Sequence, residues 1–211
     1  MDVYKRIKEL KLIPVAVISN VDDAVPLGKA LIEAGLPIIE VAFRTEAAAE
    51  SIKKLTIELP DILVGAGTVL KVDQVKDAIK RGAKFIVTPG FNPKIVDYCV
   101  NNKIPIIPGV NTPTIVEWAL DKGLKIVKFF PANLSGGIMM LKSLAGPYPE
   151  MRFVPTGGIN INSLIDYLKL SNVLACGGSW IVKEDLISTG QFEEIKKLTQ
   201  TAISLIHSEI G

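Results

Sequence analysis

The chain has 211 residues, enough for one α/β barrel or one large α/β domain, and 48% of them are hydrophobic, ample for a real core. Lys+Arg 24 against Asp+Glu 22 leave a formal net charge of +2, with no charged block or low-complexity run, so charge gives no reason to expect nucleic acid or an anionic membrane as partner. No apolar run approaches the ~20 residues of a membrane span, and the opening MDVYKRIKELKLIPV alternates charged with apolar residues, unlike a signal peptide.

One cadence recurs: helix, Gly stop, short apolar strand, polar or Gly-rich loop. A leading amphipathic helix is predicted over residues 2–11, and IPVAVI (13–18) is the first strand. Asp22 opens a helix with Ala24, Leu27, Leu31 and Ala34 on one stripe, closed by Gly35. The second strand is PIIEVAF (37–43), followed by a helix over 46–58 that Pro60 stops. ILVGAG (62–67) is the third strand, and 71–81 carry Val72, Val75 and Ile79 at helical spacing before Gly82. KFIVTPG (84–90) is the fourth strand. Asn92-Pro93 then gives an N-cap followed by proline at the first helical position. IPIIPGV (104–110) is the fifth strand, and Thr112-Pro113 repeats the helix-start signal, with a stop at Gly123. KIVKFF is the sixth strand. A helix is predicted over 136–146, RFVPTGG (152–158) is the seventh strand, and a helix follows from about 161 to 169. NVLACGGS (172–179) is the eighth strand, and a final helix spans about 191–208.

The strands read as continuous apolar runs rather than alternating ones, as strands buried on both faces do. The expected fold is therefore α/β: a (β/α)8 TIM barrel with an extra N-terminal helix, one domain over 1–211. A doubly wound open sheet would show the same alternation, usually with fewer strands.

The two cysteines, Cys99 and Cys176, sit far apart in apolar runs and read as buried free thiols of a reducing, cytoplasmic compartment. His207 is the single histidine and falls among surface-type residues of the last helix. A catalytic zinc site usually needs two or three histidines, and no Cys-His or Ser-His-Asp constellation can be assembled. No metal and no cofactor are expected. The chemistry must come from Lys, Glu, Arg, Thr and backbone groups.

In such a barrel the active site is built at the C-terminal ends of the strands. Strand six ends Lys128-Phe129-Phe130-Pro131. Burial disfavours a charged ammonium, and a neutral amine can form a Schiff base with a carbonyl substrate. The bland alternative is that Lys128 snorkels into water. Glu40 interrupts an otherwise apolar strand, either as a general acid/base or as half of an ion pair with a nearby cation. Arg44 offers a bidentate fork for a carboxylate or phosphate. Thr68 and Thr88 stand at strand ends, where they could also cap the following helices. Pro89 follows Thr88 at the end of strand four. Thr156-Gly157-Gly158 and Gly177-Gly178-Ser179 follow strands seven and eight, where barrels commonly bind phosphate through backbone N–H groups.

The motifs IIEVAFRT, VGAGTVL, FIVTPGF, PIIPGVNTPT, KFFPA, VPTGGI and CGGSW, in this order and over nearly the whole length, resemble the 2-keto-3-deoxy-6-phosphogluconate aldolases, some of which also act on 4-hydroxy-2-oxoglutarate. The resemblance implies that Lys128 forms the Schiff base and Glu40 is the acid/base. It implies that Arg44 and Thr68 hold the pyruvate carboxylate, and that Gly157, Gly158 and Ser179 bind the phosphate. Pro89, Phe130, Thr156 and Gly178, within the same motifs, join the substrate-binding set. Ala42 and Phe43 depart from the threonine and leucine frequent in the family, which bears on fine specificity. Family members are typically homotrimers without metal. The implied partners are a small 2-keto acid and a sugar phosphate. Two other readings remain open from the residues: a phosphate-binding barrel that is an isomerase or epimerase, with Glu40 as a base α to a carbonyl, and a sugar-phosphate-binding protein without activity.

Overall fold

The computed structural model describes residues 2–210. Helix α1 (Val3–Leu10) is capped by Asp2, whose carboxylate accepts from the N–H groups of Tyr4 and Lys5. It buries Val3 and Ile7, and the Tyr4 hydroxyl both accepts from the Ile106 N–H (2.9 Å) and donates to the Ile106 carbonyl (3.1 Å). The helix is thereby tied to the start of a strand a hundred residues away.

Strands and helices then alternate. In order they are β1 (Leu12–Ala16), α2 (Ala24–Glu33), β2 (Ile38–Ala42), α3 (Ala48–Glu58), β3 (Leu63–Gly67), α4 (Val72–Lys80), β4 (Phe85–Val87) and α5 (Pro93–Asn101). The second half continues with β5 (Ile106–Ile107), β6 (Gly109–Val110), α6 (Pro113–Asp121), β7 (Ile126–Phe129), α7 (Gly137–Ala145), β8 (Arg152–Pro155), α8 (Ile161–Leu168), β9 (Cys176–Gly178), α9 (Glu184–Ser188) and α10 (Phe192–Glu209). All pairings of these strands are parallel. One sheet has the order β5-β4-β3-β2-β1-β9 and a second β6-β7-β8. Isolated parallel bridges, Phe153 to Val173 and Thr156 to Gly177, connect the β8 side to the β9 side. Strands β2 and β3 are buried at every position, which is why their sequences are unbroken apolar runs. The core fills both the sheet interior and the sheet–helix layer, with Phe85, Phe129, Phe153, Ile13, Leu27 and Tyr167 among the largest buried side chains.

Several expected boundaries are corrected. The fifth strand, expected over 104–110, is split at Pro108, which has no N–H to give to a ladder. The eighth, expected over 172–179, is regular only at Cys176–Gly178. The helix expected from Asp22 begins at Ala24, after a single 3-10 turn (Val21–Asp23) capped by the Asn20 side chain. Helix α9 has no counterpart in the sequence reading because it is one turn long and carries no periodicity. Asn92 caps α5 as expected, its side chain accepting from the Lys94 N–H.

Candidate active site

Because all strands run the same way, their C-terminal ends open at one end of the sheets, where a cleft of about 530 Å³ lies. Its walls include Arg44, Thr68, Pro89, Lys128, Phe130, Thr156, Gly157, Gly158, Gly178 and Ser179, so ten of the residues expected from strand ends share one site. Glu40 is not on that wall. It lies beneath, in the middle of β2, and reaches the cleft through Lys128.

Lys128 Nζ stands 3.2 Å from Glu40 Oε1, and the two residues are only 5% and 2% exposed. The contact realises the ion-pair alternative for Glu40, with Lys128 as its partner. The register explains the meeting. Glu40 is flanked by Val15 of β1 and Gly65 of β3, and Lys128 by Gly109 of β6 and Val154 of β8. The two side chains thus cross the interior from well-separated strands. Room for the carboxylate comes from Gly67, where a methyl group would stand 2.5 Å from Glu40 Cγ and 2.6 Å from its Cδ. Lys128 does not snorkel out. Its ammonium lies 5.4 Å from the Phe130 ring centroid, against the face of the aromatic, and the edge-to-face pair of Phe129 and Phe153 packs alongside its strand.

Arg44 Nε donates to Thr68 Oγ1 at 3.3 Å. Thr68 has φ 53, the left-handed region that a β-branched residue seldom occupies, a strain that over-determined functional sites tend to hold. Neither Thr68 nor Thr88 caps a helix. Lys71 occupies the N-cap of α4 and Asn92 that of α5, while Thr88 Oγ1 donates to the Gly90 carbonyl at 2.7 Å. At the far side of the cleft Gly157 (φ 100) and Gly158 (φ 78) form a left-handed turn after β8, beside Ser179 after β9. Thr156 is buried, and its hydroxyl donates to the Val154 carbonyl.

The cleft also has walls that the sequence reading missed: Val15 and Val17 from the first strand and its loop, Trp180, Val182 and the start of α9 at Lys183, Glu184 and Asp185. Trp180 directly follows the Gly178-Ser179 step, so its position was readable. The α9 rim was not, because that helix was not foreseen. Ser19 donates to Glu184 Oε1 at 3.2 Å, joining the first loop to this rim. Among the described residues no group of three or more His, Cys, Asp or Glu could hold a metal ion. No helix there is long and apolar enough to cross a membrane. Cys99 and Cys176 are buried free thiols, and burial pushes Cys99 up to about 12 and Cys176 higher still.

Residues 3–198 match the family model described as KDPG and KHG aldolase. The chain is 47% identical over 204 residues to a 2-dehydro-3-deoxy-phosphogluconate aldolase of Haemophilus influenzae, covering 97% of this chain and 96% of that one. It is 40% identical over 192 residues to a KHG/KDPG aldolase of Escherichia coli, covering 91% and 90%. Among solved structures, a KDPG aldolase from Legionella pneumophila with pyruvate captured as a covalent carbinolamine superposes with a TM-score of 0.93 at 38% identity, covering 96% of this chain and 98% of that one. A strand-end lysine in contact with a buried carboxylate, in a chain this similar along its whole length, admits one classification: the chain belongs to the KDPG and KHG aldolase family.

Proposed function

We propose that this protein is a class I aldolase, a lyase that cleaves 2-keto-3-deoxy-6-phosphogluconate to pyruvate and glyceraldehyde 3-phosphate, and that it also accepts 4-hydroxy-2-oxoglutarate. The observation that carries this reading is the contact of Lys128 Nζ with Glu40 Oε1 at 3.2 Å, buried at the floor of the cleft. Proton transfer along that contact releases a neutral amine, which adds to the C2 ketone. The carbinolamine loses water to give a protonated imine, and Glu40 relays the protons of that step. The imine cation is an electron sink two bonds from the bond to be broken. Glu40 takes the C4 hydroxyl proton, the C3–C4 electrons flow into the imine, and the aldehyde departs. The remaining enamine is protonated at C3 and hydrolysed, which returns Lys128 and frees pyruvate. A general acid/base so placed contributes typically 10²- to 10⁴-fold.

Arg44 and Thr68 hold the carboxylate in this reading. Gly157, Gly158, Gly178 and Ser179 receive the phosphate, and Pro89, Phe130 and Thr156 shape the wall between. Supporting the two ends, Arg44 and Thr68 follow β2 and β3 and hydrogen-bond to each other, while the glycine turns follow β8 and end β9, and all of these residues line the same cleft. The relatives' names point the same way, since those of KHG/KDPG type are named for both a phosphorylated and an unphosphorylated 2-keto acid.

The sheets are read as one closed (β/α)8 barrel, a single domain over 1–211 with α1 as an extra N-terminal helix. In support, β5 and β6 are one strand interrupted at Pro108, and the bridges at Val173 and Gly177 join β8 to β9. We further read the protein as a cytoplasmic homotrimer without metal or cofactor, acting on small molecules and not on nucleic acid. Borohydride reduction in the presence of pyruvate tests the chemistry. A permanent adduct on Lys128 is expected; an isomerase or epimerase would form none.

A further inference from the structure

The turn that receives the phosphate in this reading is held from behind by one side chain. Asn133, just after the KFFPA segment, gives its backbone N–H to the Gly157 carbonyl (3.2 Å) and its Nδ2–H to the Gly158 carbonyl (2.7 Å). Tyr167 of α8, 2% exposed, donates its hydroxyl to Asn133 Oδ1 at 2.8 Å. The Gly158 carbonyl can only accept, so it takes the Nδ2 end of the amide, and the Tyr167 hydroxyl holds the side chain there by donating to the Oδ1 that is left. The fit is close: a methyl group at Gly158 would stand 2.7 Å from Asn133 Cγ.

A trans peptide aims its C=O and N–H in opposite directions. Asn133 draws the Gly157 and Gly158 carbonyls to itself, so the N–H groups across those two peptides, of Gly158 and Ile159, are aimed away from it. Both residues line the cleft. Among the described residues no protein acceptor takes either N–H, although Ile159 is only 6% exposed. Gly158 is exposed and its N–H opens onto the cleft, whereas the buried Ile159 N–H is the rarer case, a donor that calls for an acceptor from elsewhere.

We infer that Asn133, oriented by Tyr167, is a positioning residue that aims the Gly158 and Ile159 N–H groups at the substrate's phosphate and so sets the preference for phosphorylated over unphosphorylated 2-keto acids. This inference rests on the proposed placement of the phosphate at the Gly157-Gly158 turn. Asn133 touches no reacting atom. Its effect is confined to the end of the substrate that an unphosphorylated analogue lacks.

The discriminating variant is Asn133→Asp. It keeps the shape and still accepts from Tyr167, but sets a carboxylate against the Gly158 carbonyl with no proton between. The measurement is kcat/KM for 2-keto-3-deoxy-6-phosphogluconate and for 4-hydroxy-2-oxoglutarate, alongside borohydride trapping of pyruvate. Asn133→Asp is expected to lose about 10- to 100-fold on the phosphorylated substrate, mainly in KM, the range for hydrogen bonds to a charged group. The unphosphorylated substrate and the pyruvate adduct are unchanged. Tyr167→Phe, nearly isosteric in its buried site, loses about 3- to 10-fold on the phosphorylated substrate alone. Added to Asn133→Ala it costs nothing further, because the two act in series. Equal losses on both substrates, or an unmoved preference in Asn133→Asp and Tyr167→Phe, overturn the inference while leaving the aldolase reading intact. Should Asn133→Asp fail to fold, Tyr167→Phe decides alone. A wild type that traps pyruvate yet shows no preference for the phosphorylated substrate overturns the phosphate placement and this inference together. One that traps no pyruvate overturns the aldolase reading itself.

Discussion

Lys128 and Glu40 are 88 residues apart in the chain and 3.2 Å apart at their charged ends, and neither has more than a sliver of surface in contact with water. Bringing two charges out of water costs several kcal/mol per ion, and the mutual attraction offsets that only while both partners are present. The contact is therefore a poor device for stability. It makes chemical sense as a reactive pair.

The first prediction follows from that asymmetry. Lys128→Met leaves Glu40 buried without a partner and should destabilise the fold by about 3–5 kcal/mol, and Glu40→Leu should do the same to Lys128. The double variant should be more stable than either single one, because no charge is left stranded. Urea denaturation midpoints of the three proteins read this directly. A double variant with the summed loss of the two singles would show that the pair is not coupled.

Kinetics separate the roles of the two groups. Glu40→Gln keeps a polar neighbour for Lys128 but removes the proton acceptor. Trapping of pyruvate by borohydride should remain detectable, with turnover slowed by roughly 10²- to 10⁴-fold. Lys128→Arg keeps a cation that stays protonated, so no adduct should form there. Undiminished turnover in Glu40→Gln would remove Glu40 from the chemistry.

The part of the site readable from sequence is the part written at strand ends. In an all-parallel arrangement every strand delivers its last residues to the same face, so Arg44, Thr68, Pro89, Lys128, Gly158 and Ser179 could be gathered without knowing a single distance. Glu40 was conspicuous for a different reason, as a charge inside an apolar strand. The hydrogen bond from Tyr167 to Asn133 had no such mark. It joins residues 34 apart through side chains on a helix and a loop, and no periodicity or spacing records it. The rim at α9 escaped for want of length. The split of the fifth strand was not read, although Pro108, whose missing N–H interrupts the ladder, was the residue that marked it.

At the phosphate end, Ser179→Ala removes one hydroxyl donor. It should lower kcat/KM for the phosphorylated substrate by about 10- to 100-fold, corresponding to a hydrogen bond of roughly 1.5–3 kcal/mol to a charged group. 4-Hydroxy-2-oxoglutarate never makes that bond and should be turned over as before. The ratio of the two kcat/KM values in wild type and variant is the readout. A parallel loss on both substrates would move Ser179 from phosphate binding to general support of the site.

The thiols predict a pH dependence. Burial raises Cys99 from 9.0 to about 12, so the folded state keeps a proton that the unfolded chain gives up. The unfolded state then binds fewer protons than the folded one, and stability falls with rising pH across that window. Cys176, wholly buried, shifts the same way. Each thiol contributes a slope of up to about 1.4 kcal/mol per pH unit above pH ~9, tapering to little below pH ~7. Thermal melts of wild type and of Cys99→Ala compared at neutral and alkaline pH test it, with a shallower alkaline decline expected in the variant. The same burial predicts that native protein is inert to thiol reagents until it unfolds.

The last prediction concerns a residue without a side chain. Gly67 ends β3 beside Ala42 of β2, and the Glu40 carboxylate passes directly over its Cα. A methyl group there would overlap the carboxylate itself, so the buried Glu40 side chain would have to shift. Overpacking of this kind costs typically 1–3 kcal/mol. Gly67→Ala is therefore expected to fold with a lower melting temperature, and its larger effect should be on chemistry. Displacing Oε1 lengthens the 3.2 Å contact with Lys128 and misaims Glu40 for its proposed role as the base at the C4 hydroxyl. Misplacement on the order of 1 Å can cost about 10²-fold in rate. The loss should appear in kcat for both substrates alike, since both share the carbon atoms being separated, and this distinguishes it from the phosphate-end variants. A Gly67→Ala enzyme with wild-type kcat would mean that Glu40 reaches its working position by another path than the one over this strand.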